Sequence, residues 1–341
     1  MTLGLGIDTS FDDTAVSLVE DGRHILCNLT VSQFAEHAEF GGVIPERASR
    51  LHVQMIFPLV ERALAETGKD LSAIDYVAVT NEPGLVGSLL VGVTVGKALA
   101  MALGKPLVGV NHLEAHVHSG FMAEPELRYP FLSLLISGAN TLILESRAHG
   151  DHRQIGATRD DAVGECIDKC GRHLGLGLPA GPALQKLAFE GDPKVRPFPR
   201  PFIDAAHFDF SFSGLKTAVL YALRDDPSLR REDVAASLLD AIADVLVTKT
   251  MKAAARTGLN TIVLCGGAAA SAQVRAAFAE RAEPQGLRVI YPGLALCTDN
   301  AAMVAGLGFE HHRRREHAGF ALEVRSTVSW KSSDFADSQN A

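Results

Sequence analysis

LGLGIDTSFDDTAVSLVE, residues 3–20, reads as two short apolar strands joined by a tight polar turn that carries Asp8, Thr9, Ser10, Asp12 and Asp13. The same design returns at 131–145, FLSLLISGANTLILE, about 128 residues downstream when Ile7 is set beside Leu135. A strand–turn–strand unit at the head of each half implies an internal duplication. A chain of 341 residues also exceeds what a single hydrophobic core usually supports, so two lobes are expected.

Between and after these units the pattern alternates. Helix-like periodicity near 50–67, a strand at 75–80, the glycine turn PGLVGS, a helix to about 103 and a strand at 106–110 fill the first half. The second half shows helix signals at 161–175 and 180–190, a Pro/Phe-rich crossing at 197–212, and helices near 213–224 and 231–257. TIVLCGG at 261–267 then turns from strand through glycine into a helix, which suits a nucleotide at a helix N-terminus. The fold class expected is α/β, a two-lobed actin-like ATPase fold of duplicated ribonuclease H-like sheets. Residues 1–110 with about 303–325 form the expected first lobe and 111–302 the second, with 326–341 as a flexible tail.

Composition narrows the classes. Hydrophobic residues make up 47% and charged residues 21%, and mean hydropathy is +0.13, which excludes bulk disorder. A net charge of −8 gives no global attraction to nucleic acid, so any RNA contact must be local or shared with partners. The five cysteines, at 27, 166, 170, 265 and 297, form no CxxC pair, and the N-terminus lacks a basic start and cleavage site. A reducing, cytoplasmic setting fits. The apolar run Leu85–Val110 is broken by Lys97, Lys105, Pro106 and glycines and reads as a buried helix and strand, so no membrane association is expected.

Two histidines stand out. In NHLEAH, His112 and His116 are four apart and share one face if the segment is helical, a geometry that suits one metal ion. The HExxH order of metalloproteases is absent, and histidines capping a helix start would explain the pair equally well. A third ligand is available at Asp299 in CTDN, which an ordinary helix N-cap would also explain. Two nitrogens and one carboxylate leave coordination positions open, as in catalytic metal sites. Asp12 and Asp13 read either as turn formers or as carboxylates able to take a proton.

GIDTSFDDT (6–14), EFGGVIPERASRLH (39–52), EPGLVGSLLVGVTVGKALA (82–100), NHLEAH (111–116), DDAVGECIDK (160–169), FDFSFSGLKT (208–217) and CTDNAAM (297–303) resemble, in order, the tRNA N6-threonylcarbamoyladenosine transferase family. The resemblance implies a metal, iron or zinc, at His112, His116 and Asp299. It implies a donor, threonylcarbamoyl-AMP, lying between the lobes. Leu135, Ile136, Ser137, Gly138 and Ala139 would touch its phosphate and carbamoyl group, and Asp168, Gly181 and Ser271 its nucleotide. Asp12, with Asp13 beside it, would act as base toward adenosine 37 of tRNAs reading ANN codons. Expected partners are tRNA, a smaller homologue of the same fold and a P-loop ATPase. Ala139, Asn140, Ala180 and Ser271 depart from the family's usual residues in nucleotide-facing turns. A regulatory or scaffolding paralogue, or a small-molecule carbamoyltransferase, is the alternative reading.

Overall fold

A computed structural model describes residues 1–37, 40, 42–328 and 330–332. β1 (Leu3–Asp8) is buried along its whole length. That follows from its place between β2 (Asp13–Glu20), antiparallel to it, and β4 (Tyr76–Glu82), parallel to it. β3 (His24–Ser32) and β5 (Leu107–Asn111) complete the sheet, in the order β3-β2-β1-β4-β5. The helices that go with it are α1 (Phe34–His37), α2 (Pro45–Thr67), α3 (Val86–Leu103) and α4 (His112–Ala123). On one face Leu5, Ile7, Val16 and Leu18 pack with Ile56 and Val60 of α2 and Val93 of α3. α3 is long and apolar enough in composition to cross a membrane, but it packs on β4, β1, β5 and α2, so its composition is that of a core helix.

The second sheet contains β6 (Phe131–Ile136), β7 (Thr141–Ala148), β8 (Asp151–Ala157), β9 (Thr261–Cys265), β10 (Arg288–Ile290) and β11 (Lys331–Ser332). Its order is β10-β9-β6-β7-β8-β11. β6 pairs antiparallel with β7 and parallel with β9, as β1 does with β2 and β4. The two sheets therefore share one strand order, as a duplicated fold requires. The accompanying helices are α5 (Val163–His173), α6 (Ala180–Ala188), α7 (Ser213–Asp225), α8 (Arg231–Thr257), α9 (Ala272–Arg281) and α10 (Leu294–Cys297). Leu132, Leu134 and Ile136 meet Cys166, Ile167, Leu239 and Ile242 in its core. Gly266, after β9, takes φ 90°, and a Cβ there would lie 2.5 Å from the Ile136 carbonyl, so only glycine fits. All five cysteines are free and buried.

α11 (Ala301–Arg313) returns to the first sheet, covering its other face with Met303, Val304 and Leu307 against Ala78 and Val108. The chain accordingly divides into one unit of Met1–Pro125 with Asp299–Ser329 and another of Glu126–Thr298 with Trp330–Ala341. The division falls after Pro125 and Thr298 and not after 110 and 302, because α4 packs on α11 and both belong to the first sheet. In the tail expected over 326–341, Lys331 and Ser332 pair with Arg153 and Gln154 of β8, while 329 and 333–341 lie outside the described residues. The strands His24–Ser32 and Asp151–Ala157 are absent from the sequence reading because each mixes buried with half-exposed polar positions and breaks a clean alternation.

Candidate metal centre

The turn after β1 is fixed from several sides. Asp8 Oδ1 accepts the Ser10 amide at 2.9 Å, an Asx turn that ends the strand. Thr9 Oγ1 donates to the Ser88 carbonyl at 2.8 Å and accepts the Gly92 amide at 3.2 Å, which ties the turn to α3. α4 begins directly after β5, and Asn111 caps it by accepting the amides of Leu113 and Glu114 at 2.9 and 3.1 Å. Neither histidine is spent on capping. His112 and His116 thus project from successive turns of one face, with ring centroids 4.7 Å apart.

Asp299 is likewise not the cap of its helix. Asn300 caps α11 by accepting the Met303 amide at 3.0 Å, leaving the Asp299 carboxylate to face the histidines. Its Oδ1 lies 3.4 Å from His112 Nε2 and 3.2 Å from His116 Nε2. The structure therefore brings the three residues named from sequence to one point, all within the first unit. Sequence reasoning assigned no role to Asp8, whose Oδ2 lies 3.0 Å from His112 Nδ1, nor to Ser10, whose Oγ lies 3.2 Å from the same nitrogen. The one sequence signal for Asp8 is a carboxylate closing an otherwise apolar strand.

The donor set suits a cation. His112 Nδ1–H points to Asp8, so in the neutral ring Nε2 carries a lone pair aimed at a carboxylate oxygen. That contact is repulsive unless a proton or a metal ion intervenes. Burial opposes charge on His112, yet Asp8 and Asp299 overcome it and hold its pKa well above the usual value. Burial opposes charge on Asp299 too, but the His112 charge holds it far below the usual carboxylate range. Burial, with the neighbouring His112 charge, lowers His116. A divalent ion would replace the His112 proton while Asp8 keeps the ring oriented, the usual carboxylate–histidine–metal arrangement. His116 Nδ1 is buried and has no hydrogen-bond partner among the described residues, so only one of the two rings is oriented from behind.

Asp12 and Asp13 stand on the same turn. Burial, then repulsion from Asp299, raises Asp12. Burial, reinforced by Asp299, Asp12 and Asp8 and opposed by a hydrogen bond from Ser32, raises Asp13 to about 7.

The remaining expected residues belong to the second unit. Leu135 and Ile136 bury their side chains completely in β6, so only their backbone is available to a ligand. Ser137, Gly138 and Ala139 form a turn closed by the Ser137 amide on the Asn140 carbonyl at 2.8 Å. The Ser137 and Gly138 carbonyls accept the Gly164 and Glu165 amides at 3.1 Å each, seating the turn on the first turn of α5. Asp168 Oδ1 accepts the Ala180 amide at 2.7 Å, while the neighbouring Lys169 pairs with Asp161 and Glu165. Ser271 caps α9. Neither Ala139 nor Ala180 takes a positive φ. The Ala180 methyl is buried in the core, and a Cβ at Gly171 would lie 2.3 Å from it, so this methyl occupies space that Gly171 leaves vacant. Around Gly181 a Cβ would meet nothing within 4 Å.

Comparison with known proteins agrees. Residues 24–306 match the family model of tRNA N6-adenosine threonylcarbamoyltransferase. The chain is 48% identical over 324 residues to a tRNA N6-adenosine threonylcarbamoyltransferase of Moorella thermoacetica, covering 94% of this chain and 95% of that one. To the enzyme of the same name from Thermotoga neapolitana it is 46% identical over 310 residues, covering 91% and 94%. Among solved structures, HypF of T. kodakarensis superposes with TM-score 0.63 at 14% identity over 94% of this chain and 48% of that one. Component A of the Acidaminococcus fermentans (R)-2-hydroxyglutaryl-CoA dehydratase does so with TM-score 0.55 at 13% identity, covering 92% and 98%. These last two likenesses establish the actin-like ATPase fold.

Proposed function

Because the chain belongs to the tRNA N6-adenosine threonylcarbamoyltransferase family, we propose that it transfers threonylcarbamoyl from threonylcarbamoyl-AMP to N6 of adenosine 37 in tRNAs reading ANN codons. The observation that carries the reading is the approach of two imidazole Nε2 atoms to one carboxylate oxygen, at 3.2 and 3.4 Å.

The exocyclic amine of adenine is a poor nucleophile, since its lone pair is delocalised into the ring. The acyl carbon must be activated and the amine proton must be accepted. A divalent ion, iron or zinc, would be held by His112, His116 and Asp299 and would supply Lewis acidity to the acyl transfer. As the N–C bond forms and the C–O bond to AMP breaks, the amine proton passes to Asp12 or Asp13. Burial favours the protonated form of Asp13, which suits it to hold that proton. Asp168 keeps Oδ2 for a ribose hydroxyl while Oδ1 holds α6, and Gly181 and Ser271 border the same nucleotide. The backbone of Leu135 to Ala139 faces the donor's phosphate and carbamoyl group. The cytoplasm, a smaller homologue and a P-loop ATPase complete the proposal.

Two departures from the family pattern are compatible with activity: the Ala180 methyl lies in the core, and Ser271 keeps a helix cap. The test is to incubate the protein and its partners with threonylcarbamoyl-AMP and unmodified tRNA, then measure nucleosides by mass spectrometry. Threonylcarbamoyladenosine is the expected product, and its absence with metal-loaded protein overturns the proposal.

A further inference from the structure

The carbonyls of Ser10, Phe11 and Asp12 lie beyond the last β1–β2 pair, Asp8 with Ala15, and cannot be satisfied by that ladder. Each is held by a different neighbour. The Leu85 amide donates to Ser10 at 2.9 Å, and the Gln33 amide to Asp12 at 3.0 Å. Among the described residues, only Phe11 is held by a side chain, His52 of α2, with Nε2 at 3.0 Å from its carbonyl oxygen.

That contact fixes the tautomer. A carbonyl only accepts, so His52 Nε2 carries the hydrogen and Nδ1 is the acceptor. Thr14 Oγ1 donates to Nδ1 at 2.8 Å and Gln33 Nε2 at 3.2 Å. Gln33 Nε2 also donates to the Ala48 carbonyl at 3.3 Å, while its Oε1 accepts from His37 Nε2 at 3.3 Å. His37 Nδ1 in turn accepts the Ile44 amide at 3.4 Å. One assignment of protons satisfies every member. Thr14, Gln33, His37 and His52 are all buried, and burial lowers the His52 pKa, consistent with a neutral ring.

The geometry points to His52 as a positioning residue that holds the Asp12–Asp13 turn in its working conformation through the Phe11 carbonyl. This rests on the transfer reaction proposed above and adds to it a residue outside the metal group. Losing the Nε2–H frees the one turn carbonyl held by a side chain, and a misplaced base costs rate and not substrate affinity.

His52→Leu removes the donor, whereas His52→Gln keeps an amide N–H at similar reach. The expected result is a kcat lowered on the order of tenfold to a hundredfold in His52→Leu, with KM for tRNA and metal content unchanged, and substantial recovery in His52→Gln. Equal loss in both variants, no loss in either, or a rise in KM alone overturns the inference. Should His52→Leu fail to fold, Thr14→Val removes one partner of Nδ1 at nearly constant volume, and unchanged kcat in it counts against the network. If the wild-type protein transfers nothing, the transfer reading has failed, and the ¹³C carboxyl resonance of Asp13 still decides the positioning. It should move in His52→Leu and return toward its wild-type position in His52→Gln, and an unmoved resonance overturns the proposal.

Discussion

Asp13→Asn in the chelated protein gives the sharpest quantitative test. Asp13 is mostly buried among Asp8, Asp12 and Asp299, and its folded pKa stands at about 7 against 3.8 for a free carboxyl. Below 3.8 both the folded and the unfolded chain hold the proton, so the group makes no difference to stability. Between 3.8 and about 7 the unfolded chain releases the proton while the folded chain keeps it, so stability falls as pH rises. Above about 7 the penalty is complete, at 1.36 kcal/mol for each pKa unit or about 4 kcal/mol as an upper bound. Asparagine resembles the protonated acid and removes the penalty. Its advantage over aspartate should be near zero at pH 3 to 4 and grow to about 2–4 kcal/mol at pH 8. For a folding unit of this size that is roughly 5–15 °C in Tm. Thermal denaturation of both proteins at pH 4 and pH 8, in chelator, reads the difference directly. Equal Tm differences at the two pH values, or a ¹³C titration of Asp13 near 4, would refute the reasoning. The same substitution should abolish transfer if Asp13 is the base.

Four further outcomes are expected. Asp8→Ala leaves His112 without its orienting carboxylate and should weaken metal binding about 10–100-fold in a chelator competition, with the fold intact by circular dichroism. Ala180→Gly should lower stability by about 1 kcal/mol and leave donor affinity unchanged in calorimetry, because that methyl faces Gly171. Gly171→Ala should be far more damaging alone than combined with Ala180→Gly, a coupling that a double-mutant cycle of thermal stabilities measures. Asp168→Ala should cost about 1 kcal/mol from the lost α6 cap and also weaken AMP binding, whereas a loss of stability alone would leave Asp168 only a structural role.

The strand–turn–strand units were legible because apolar alternation interrupted by Asp8–Asp13, and again by Ser137–Asn140, is a local signal. The helix Arg231–Thr257 was legible to its ends for the same reason. His112 and His116 could be placed on one face from spacing alone, but their freedom from capping depends on Asn111, and that of Asp299 on Asn300. The lobe boundary was misplaced because α4 follows β5 without a break and sequence does not show which sheet it will pack against. The His52 network was invisible, since its partners come from residues 11, 14 and 33, brought together only by the pairing of β2 with β3 and the packing of α2 on both.

The chain leaves the first unit at Pro125, immediately after α4, and re-enters it at Asp299. His116 and Asp299 are therefore separated by 183 positions of sequence, nearly all of them in the second unit. An ion bound there acts as a clasp on a very long lasso, stitching the returning strand of chain to the place from which it departed. If an ion is held by His112, His116 and Asp299, its third ligand becomes available only after the intervening chain has left the ribosome.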